Sequence, residues 1–335
     1  MKVPRVLVIS LGGTIASTPT HTASGVVPQL SARDLVQAVP GLLEIAELET
    51  VSFRQLPSGD LTLNDVVALA HSIQARLGAD DIDGVVITQG TDTIEETSFA
   101  LDLLLDASIP VVITAAMRNP TMAGPDGPGN ILAAVKVAAS DTARDMGCVV
   151  VMNDEVHAAR YVRKSHTSSL ATFQSPNIGP LGWVVEDRVR ILARTRRVAP
   201  IEIASLGDLP AVALVSCSLG DDGRQLTSLS SLGYRGAVID GFGAGHVPAQ
   251  WVATVESLTS EMPVVLCSRT GAGEVLSRTY GFAGSESDLL SRGVVSAGLL
   301  DARKARVTLT LSIASSLDRH RALERFALVR DSLTS

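Results

Sequence analysis

The sequence predicts an α/β fold in two domains, a larger N-terminal one and a smaller C-terminal one, each with a mostly parallel sheet flanked by helices. Three observations carry this. Short Val/Ile-rich runs recur at 5–10, 84–88, 110–114, 147–152, 211–217, 236–240 and 263–267. They are apolar on both faces rather than alternately, as strands of a covered parallel sheet are. Helical stripes separate several of them, and strand–helix alternation is the signature of α/β architecture. Finally, 335 residues at about 150 per domain suffice for two domains.

Taken in order, the first strand (5–10) runs straight into LGGTIAST (11–18), whose paired glycines allow a tight turn. Ser31 with Asp34 spells a capping box and a helix start. Over Leu63 to Leu77 a helix places Val66, Val67, Ala70, Ile73 and Leu77 on one face. The strand 84–88 ends in a Gln89–Gly90 turn, and Thr93 with Glu96 reads as a second capping box, followed by a short apolar stripe over Phe99 to Leu105. After the strand 110–114, AAMRNPTMAGPDGPGN (115–130) holds too much Gly and Pro for regular structure and reads as a loop. GWVVEDRVRIL (182–192) reads as a hairpin turning at Glu186–Asp187, and the proline-bounded 194–210 as a linker. The domains are then 1–193 and 211–335. In the second, the Gly-rich stretches 241–245 and 271–273 make turns rather than phosphate loops.

Composition excludes several functions. Lys plus Arg is 28 against 35 Asp plus Glu, a net charge of −7, so the chain has no global attraction for phosphate backbones or anionic membranes. Nucleic acid is not expected as a partner. Cys148, Cys217 and Cys267 are odd in number, widely spaced and set in or beside apolar runs, as reduced core thiols are in the cytoplasm. The apolar run Val6 to Ile9 is too short for a signal peptide, and no run approaches the ~18 apolar residues of a membrane span. The six histidines show no HxxxH or HExxH spacing, so no metal site is expected.

Two strand ends present threonines where ligands bind in open α/β sheets. Thr14 follows the first strand, and Thr91 and Asp92 follow the strand 84–88, beside a helix start that favours negative charge. Asp92 there could grip an ammonium group. Either element could also be a plain turn or cap, since Thr and Asp commonly cap helices. Lys164 stands among hydroxyl residues in RYVRKSHTSSLATF (160–173).

The combination of GGTIA (12–16), ITQGTDTIEET (87–97), AAMR (115–118) with DGPGN (126–130), MND (152–154), Lys164 and ATF (171–173) resembles the bacterial-type L-asparaginase (asparaginase/glutaminase) family. GPLGW (179–183) and KARV (304–307) extend the likeness over nearly the whole chain. The resemblance implies an amidohydrolase that converts L-asparagine to L-aspartate and ammonia through an acyl-enzyme, without metal or cofactor, as a homodimer or homotetramer. It makes Thr14 the nucleophile and Thr91, Asp92 and Lys164 the second catalytic cluster. It assigns Ser58 to the substrate α-carboxylate, Asp92 to the α-ammonium, and the Ala116 carbonyl to the substrate amide. A Thr hydroxyl needs a base to become nucleophilic, and a Lys beside a carboxylate can move that proton through a neighbouring hydroxyl.

The chain also departs from the family pattern. Residues 17–30 contain no Tyr where the family often has one in the mobile loop; Thr20, Thr22 and Ser24 are the hydroxyls present. That loop is expected to be poorly ordered without ligand. Gly59 stands where many members have Gln, and GFGAGH (241–246) puts His246 near a position tied to substrate choice. An ammonia-supplying amidotransferase subunit and a non-catalytic amino-acid sensor are the competing readings. Thr14 leaves no room for the amidotransferase's extra N-terminal module, and a sensor would not need both threonines.

Overall fold

A computed structural model describes residues 3–19, 25–79, 81–197, 199–203, 207–316 and 318–334. Contacts divide the chain into two units, 1–200 and 201–335. Thr20, Thr22 and Ser24 lie outside the described residues.

Unit 1 is built on an eight-stranded sheet. Its strands are β1 (Arg5–Gly12), β4 (Glu47–Leu56), β5 (Gly84–Thr88), β6 (Val111–Thr114), β7 (Cys148–Met152), β8 (Glu155–Ala158), β11 (Gly182–Val185) and β12 (Arg188–Ile191). Two small ribbons stand apart: β2 (Ser17–Pro19) with β3 (Val26–Pro28), and β9 (Arg163–Lys164) with β10 (Phe173–Gln174). The spatial order is β12-β11-β8-β7-β6-β5-β1-β4, with β4 through β7 parallel and β8, β11 and β12 antiparallel. The hairpin over 182–192 forms as expected, with Glu186 in the left-handed region at its turn.

The strands bury both faces. Val6, Val8, Val86, Val112 and Val149 form one core with α1 (Ala32–Gln37), α2 (Leu42–Ile45) and α5 (Gly127–Ala138). The intervening Leu7, Ile9, Val85, Ile87, Ile113 and Val150 point the other way and are equally buried. On the sheet's flank α3 (Leu63–Gly78) packs against α4 (Ile94–Leu104), which in turn packs on β7. A sheet apolar on both faces needs helices on both, which is why its strands read as unbroken apolar runs.

Three expectations are corrected. The Ser31–Asp34 capping box exists, but Thr93 makes no side-chain cap; its hydroxyl instead donates to the Ser58 carbonyl at 3.0 Å. The short stripe at Phe99 is part of an eleven-residue helix, α4, buried at nine positions and therefore without a one-sided pattern. The segment 115–130 is not all loop: Gly127 begins α5, where Pro128 sits in the first turn and costs no hydrogen bond.

Unit 2 has the parallel sheet β13 (Val212–Ser216), β14 (Gly236–Gly241), β15 (Val264–Ser268), β16 (Val295–Ser296), in that spatial order. Its helices are α6 (Val252–Glu261), α7 (Glu286–Ser291), α8 (Ala302–Ser315) and α9 (Arg319–Asp331). Its core centres on the fully buried Trp251, whose Nε1 donates to Asp221 O at 3.0 Å.

Candidate active site

The strand order decides where a ligand can sit. From β1 the chain crosses to β4 on one side, and from β5 it crosses to β6 on the other, although β1 and β5 are neighbours. That is a topological switch point, and the crevice it opens lies beyond the carboxyl ends of those two strands. Among the described residues the strands of unit 2 run in sequential order, with no such switch point.

Beyond β1 stand Gly13 and Thr14; beyond β5 stand Gly90 and Thr91. A Cβ built on Gly13 would lie 2.0 Å from Gly90 N and 2.2 Å from its Cα, and Gly13 has φ +83°. The two turns touch main chain to main chain, and each carries its threonine as the next residue. A Cβ on Gly90 would in turn meet Ser58 Oγ at 2.6 Å, so the turn after β4 closes on the same point. Three adjacent parallel strands therefore deliver Thr14, Ser58 and Thr91 to one spot.

Hydrogen bonds lock the cluster. Ser58, buried, accepts at Oγ from Asp92 N at 3.2 Å. Lys164, from β9, donates to Thr91 Oγ1 at 2.8 Å and forms an ion pair with Asp92 Oδ1 at 2.5 Å. The Lys164 side chain is 16% exposed and that of Asp92 72%, so the carboxylate stays open to a second cation on its Oδ2 side. Thr14 is half-buried, and among the described residues its hydroxyl has no hydrogen-bond partner. Ala116 is buried beside Ile15, both within 4 Å of where a Gly127 Cβ would lie. Gly59 is exposed, and a Cβ on it would meet nothing.

The structure thus gathers Ser58, Thr91, Asp92 and Lys164 by direct contact, with Thr14 at the same junction and Ala116 beside Ile15. His246 lies in unit 2, its Nε2 3.2 Å from Glu286 Oε2 and its ring edge-on to Tyr280 and Phe282. Burial alone would raise the Glu286 carboxyl, but amides of Tyr280 and Thr279 and the His246 ring hold it below the usual range. Sequence reading passed over Asp126 and Asn130 as loop residues and Gln89 as a turn residue. Gln89 is fully buried and donates to Gly90 O and Thr93 Oγ1. A buried amide after a strand was the available signal. Among the described residues no cluster of His, Cys, Asp and Glu is arranged to hold a metal.

Fold and site together define a class: an α/β protein whose larger unit carries threonine hydroxyls, a carboxylate and a lysine at the switch point of a parallel sheet. Two family models match the chain. The model for the N-terminal asparaginase domain matches residues 5–197, and that for the glutaminase/asparaginase C-terminal domain matches residues 211–326. The chain belongs to the asparaginase family. It is 34% identical over 312 residues to an L-asparaginase of Bacillus licheniformis, covering 93% of this chain and 96% of that one. It is 33% identical to L-asparaginase 2 of Escherichia coli K12, covering 95% and 91%. A solved structure of a probable cytoplasmic L-asparaginase from Campylobacter jejuni matches with a TM-score of 0.88 at 32% identity, covering 97% of this chain and 99% of that chain.

Proposed function

We infer that this protein is an L-asparaginase: it hydrolyses the side-chain amide of L-asparagine to L-aspartate and ammonia. The observation that carries the reading is the Lys164–Thr91–Asp92 contact at the same junction as the unpartnered Thr14 hydroxyl. In this reading Thr14 Oγ1 attacks the amide carbon, its proton leaves with the nitrogen as ammonia, and water cleaves the resulting ester to aspartate and free Thr14. Lys164 donates to Thr91 Oγ1, so the Thr91 hydroxyl must direct its own proton elsewhere, into the crevice, where it can hand protons on. Asp92, one oxygen held by Lys164, receives the substrate ammonium on the other; Ser58 and Gly59 border the α-carboxylate, and the Ala116 carbonyl accepts from the amide.

The reading puts the chemistry in an N-terminal domain, 1–193, joined through 194–210 to a C-terminal domain, 211–335. It takes a homodimer or homotetramer, a cytoplasmic location and a glutaminase side activity as further parts. Three buried free thiols support the location, and no helix among the described residues is long and apolar enough to cross a membrane. Steady-state ammonia release from asparagine and from glutamine by the purified protein, without tRNA, tests the function. Turnover with asparagine in the larger share is expected; no release from asparagine overturns it. Light scattering reads the oligomer and cell fractionation the location.

A further inference from the structure

The Ala116 carbonyl is held by a carboxylate on the far side of its own peptide. Asp126, the residue before α5, accepts the Met117 amide at Oδ2 (2.9 Å) and the Arg118 amide at Oδ1 (2.8 Å). No peptide bond among the described residues is cis, so the Met117 N–H and the Ala116 C=O share one plane and point in opposite directions. Fixing that N–H on Asp126 therefore fixes the carbonyl oxygen, pointing away from Asp126. Among the described residues no donor meets that oxygen, although Ala116 is 1% exposed. A buried carbonyl without a donor is uncommon, since such groups are nearly always paired.

The carboxylate is itself anchored. Asn130, buried in α5, donates through Nδ2 to Asp126 Oδ2 at 3.1 Å and to Ala115 O at 2.9 Å. Its Oδ1 accepts from Asn153 N, at a left-handed turn between β7 and β8, at 3.0 Å. The Ala115 N–H meets Met152 Sδ at 3.3 Å. The peptides on both sides of Ala116 are thus held by side chains from elsewhere in the fold, while among the described residues its carbonyl is left without a donor. A negative charge accepting the N–H of a peptide also makes that peptide's oxygen a stronger acceptor, because hydrogen bonds in a chain polarise one another.

We propose that Asp126, anchored by Asn130, is a positioning residue that aims the Ala116 carbonyl at the scissile amide and strengthens it as an acceptor. This rests on the asparaginase reading above, in which that carbonyl receives the substrate N–H. It follows that Asp126 matters for substrates with an N–H on the scissile carbonyl and not for those without one.

Aspartate β-methyl ester offers the comparison, because it presents the same acyl group to Thr14 with no N–H. Asp126→Asn keeps the shape and removes the charge, and its own NH2 competes with one backbone amide. The expected result is a loss of about tenfold in kcat/KM for asparagine, the worth of one charge-assisted hydrogen bond, with the ester changed less than twofold. Equal losses on both substrates, or none on either, overturn the proposal. If Asp126→Asn does not fold, as judged by its melting curve, Asp126→Ser keeps one acceptor before α5 and is read the same way. Wild type that cleaves neither substrate sinks the asparaginase reading instead, which separates the two failures.

Discussion

At the scale of residues, the site rests on a few atoms with separable roles. Thr14→Val keeps the branched shape and removes the hydroxyl, so asparagine turnover should fall on the order of a thousandfold or more with the melting temperature unchanged. Lys164→Met should lose most activity as well, because Thr91 Oγ1 and Asp92 Oδ1 lose their shared donor. Near-normal ammonia release by either variant places the chemistry elsewhere. Gly59 is exposed, lacks a positive φ, and would present a Cβ to open space. Gly59→Gln should therefore fold with a melting temperature within about 2 °C of wild type. Its KM for asparagine should drop about fivefold, the worth of one regained hydrogen bond; an unchanged KM argues that no side chain at 59 reaches the substrate. The threonines and Lys164 were legible because each sits in a distinctive motif. Asp126 and Asn130 were not, since their role is to hold backbone groups, and a carboxylate among Gly and Pro reads as a turn until the acceptors are placed.

Elements explain why the crevice is where it is. The contact of Gly13 with Gly90 lets the turns after β1 and β5 meet without side chains between them. Gly13→Ala should cost about 3 kcal/mol or more of stability, combining a left-handed conformation with a clash against main chain, and should abolish activity. Denaturant midpoints measure the first effect and ammonia release the second. On β8, His157 is buried with Nδ1 3.0 Å from Ser175 Oγ. Burial lowers its pKa below the ordinary value despite the opposing Glu155 carboxylate. The unfolded chain then takes up the proton first, so this contribution is full above about pH 6.5 and is lost as pH falls below it toward the folded value. His157→Gln should flatten the melting temperature between pH 6.5 and 5; an unaltered slope would assign the acid sensitivity to other groups. The parallel strands were legible as unbroken apolar runs. The edge strand β4, ELETVSFRQL, was not: six of its ten positions are charged or polar, as suits an edge, and that pattern hides it among loops. The two C-terminal helices escaped for a related reason, since α8 is buried at nine of its fourteen positions, Lys304, Thr308 and Ser312 among them, and so shows no apolar stripe.

Across the whole molecule, the three cysteines behave alike although they lie in different places. Each is free and buried, and burial pushes the Cys217 thiol up to about 12 and holds the other two well above the ordinary thiol range. A thiol reagent should label none of them in the native protein within minutes and all three after denaturation, with no effect on native activity. A fast-reacting thiol in the native state would show that one of these cores opens readily. The junction of turns also has a consequence in time. β1 registers Arg5 on Glu47 and Val6 on Gly84, so the first strand made has no partner until some forty, and then eighty, further residues exist. Lys164 reaches Thr91 across 73 residues of chain. Pairings so distant in sequence are slow to find, because long loops must close before any contact rewards them. The helices can form early, but the crevice cannot exist until residue 164 has been made and folded back. In refolding, ammonia release should return after the far-ultraviolet dichroism has recovered.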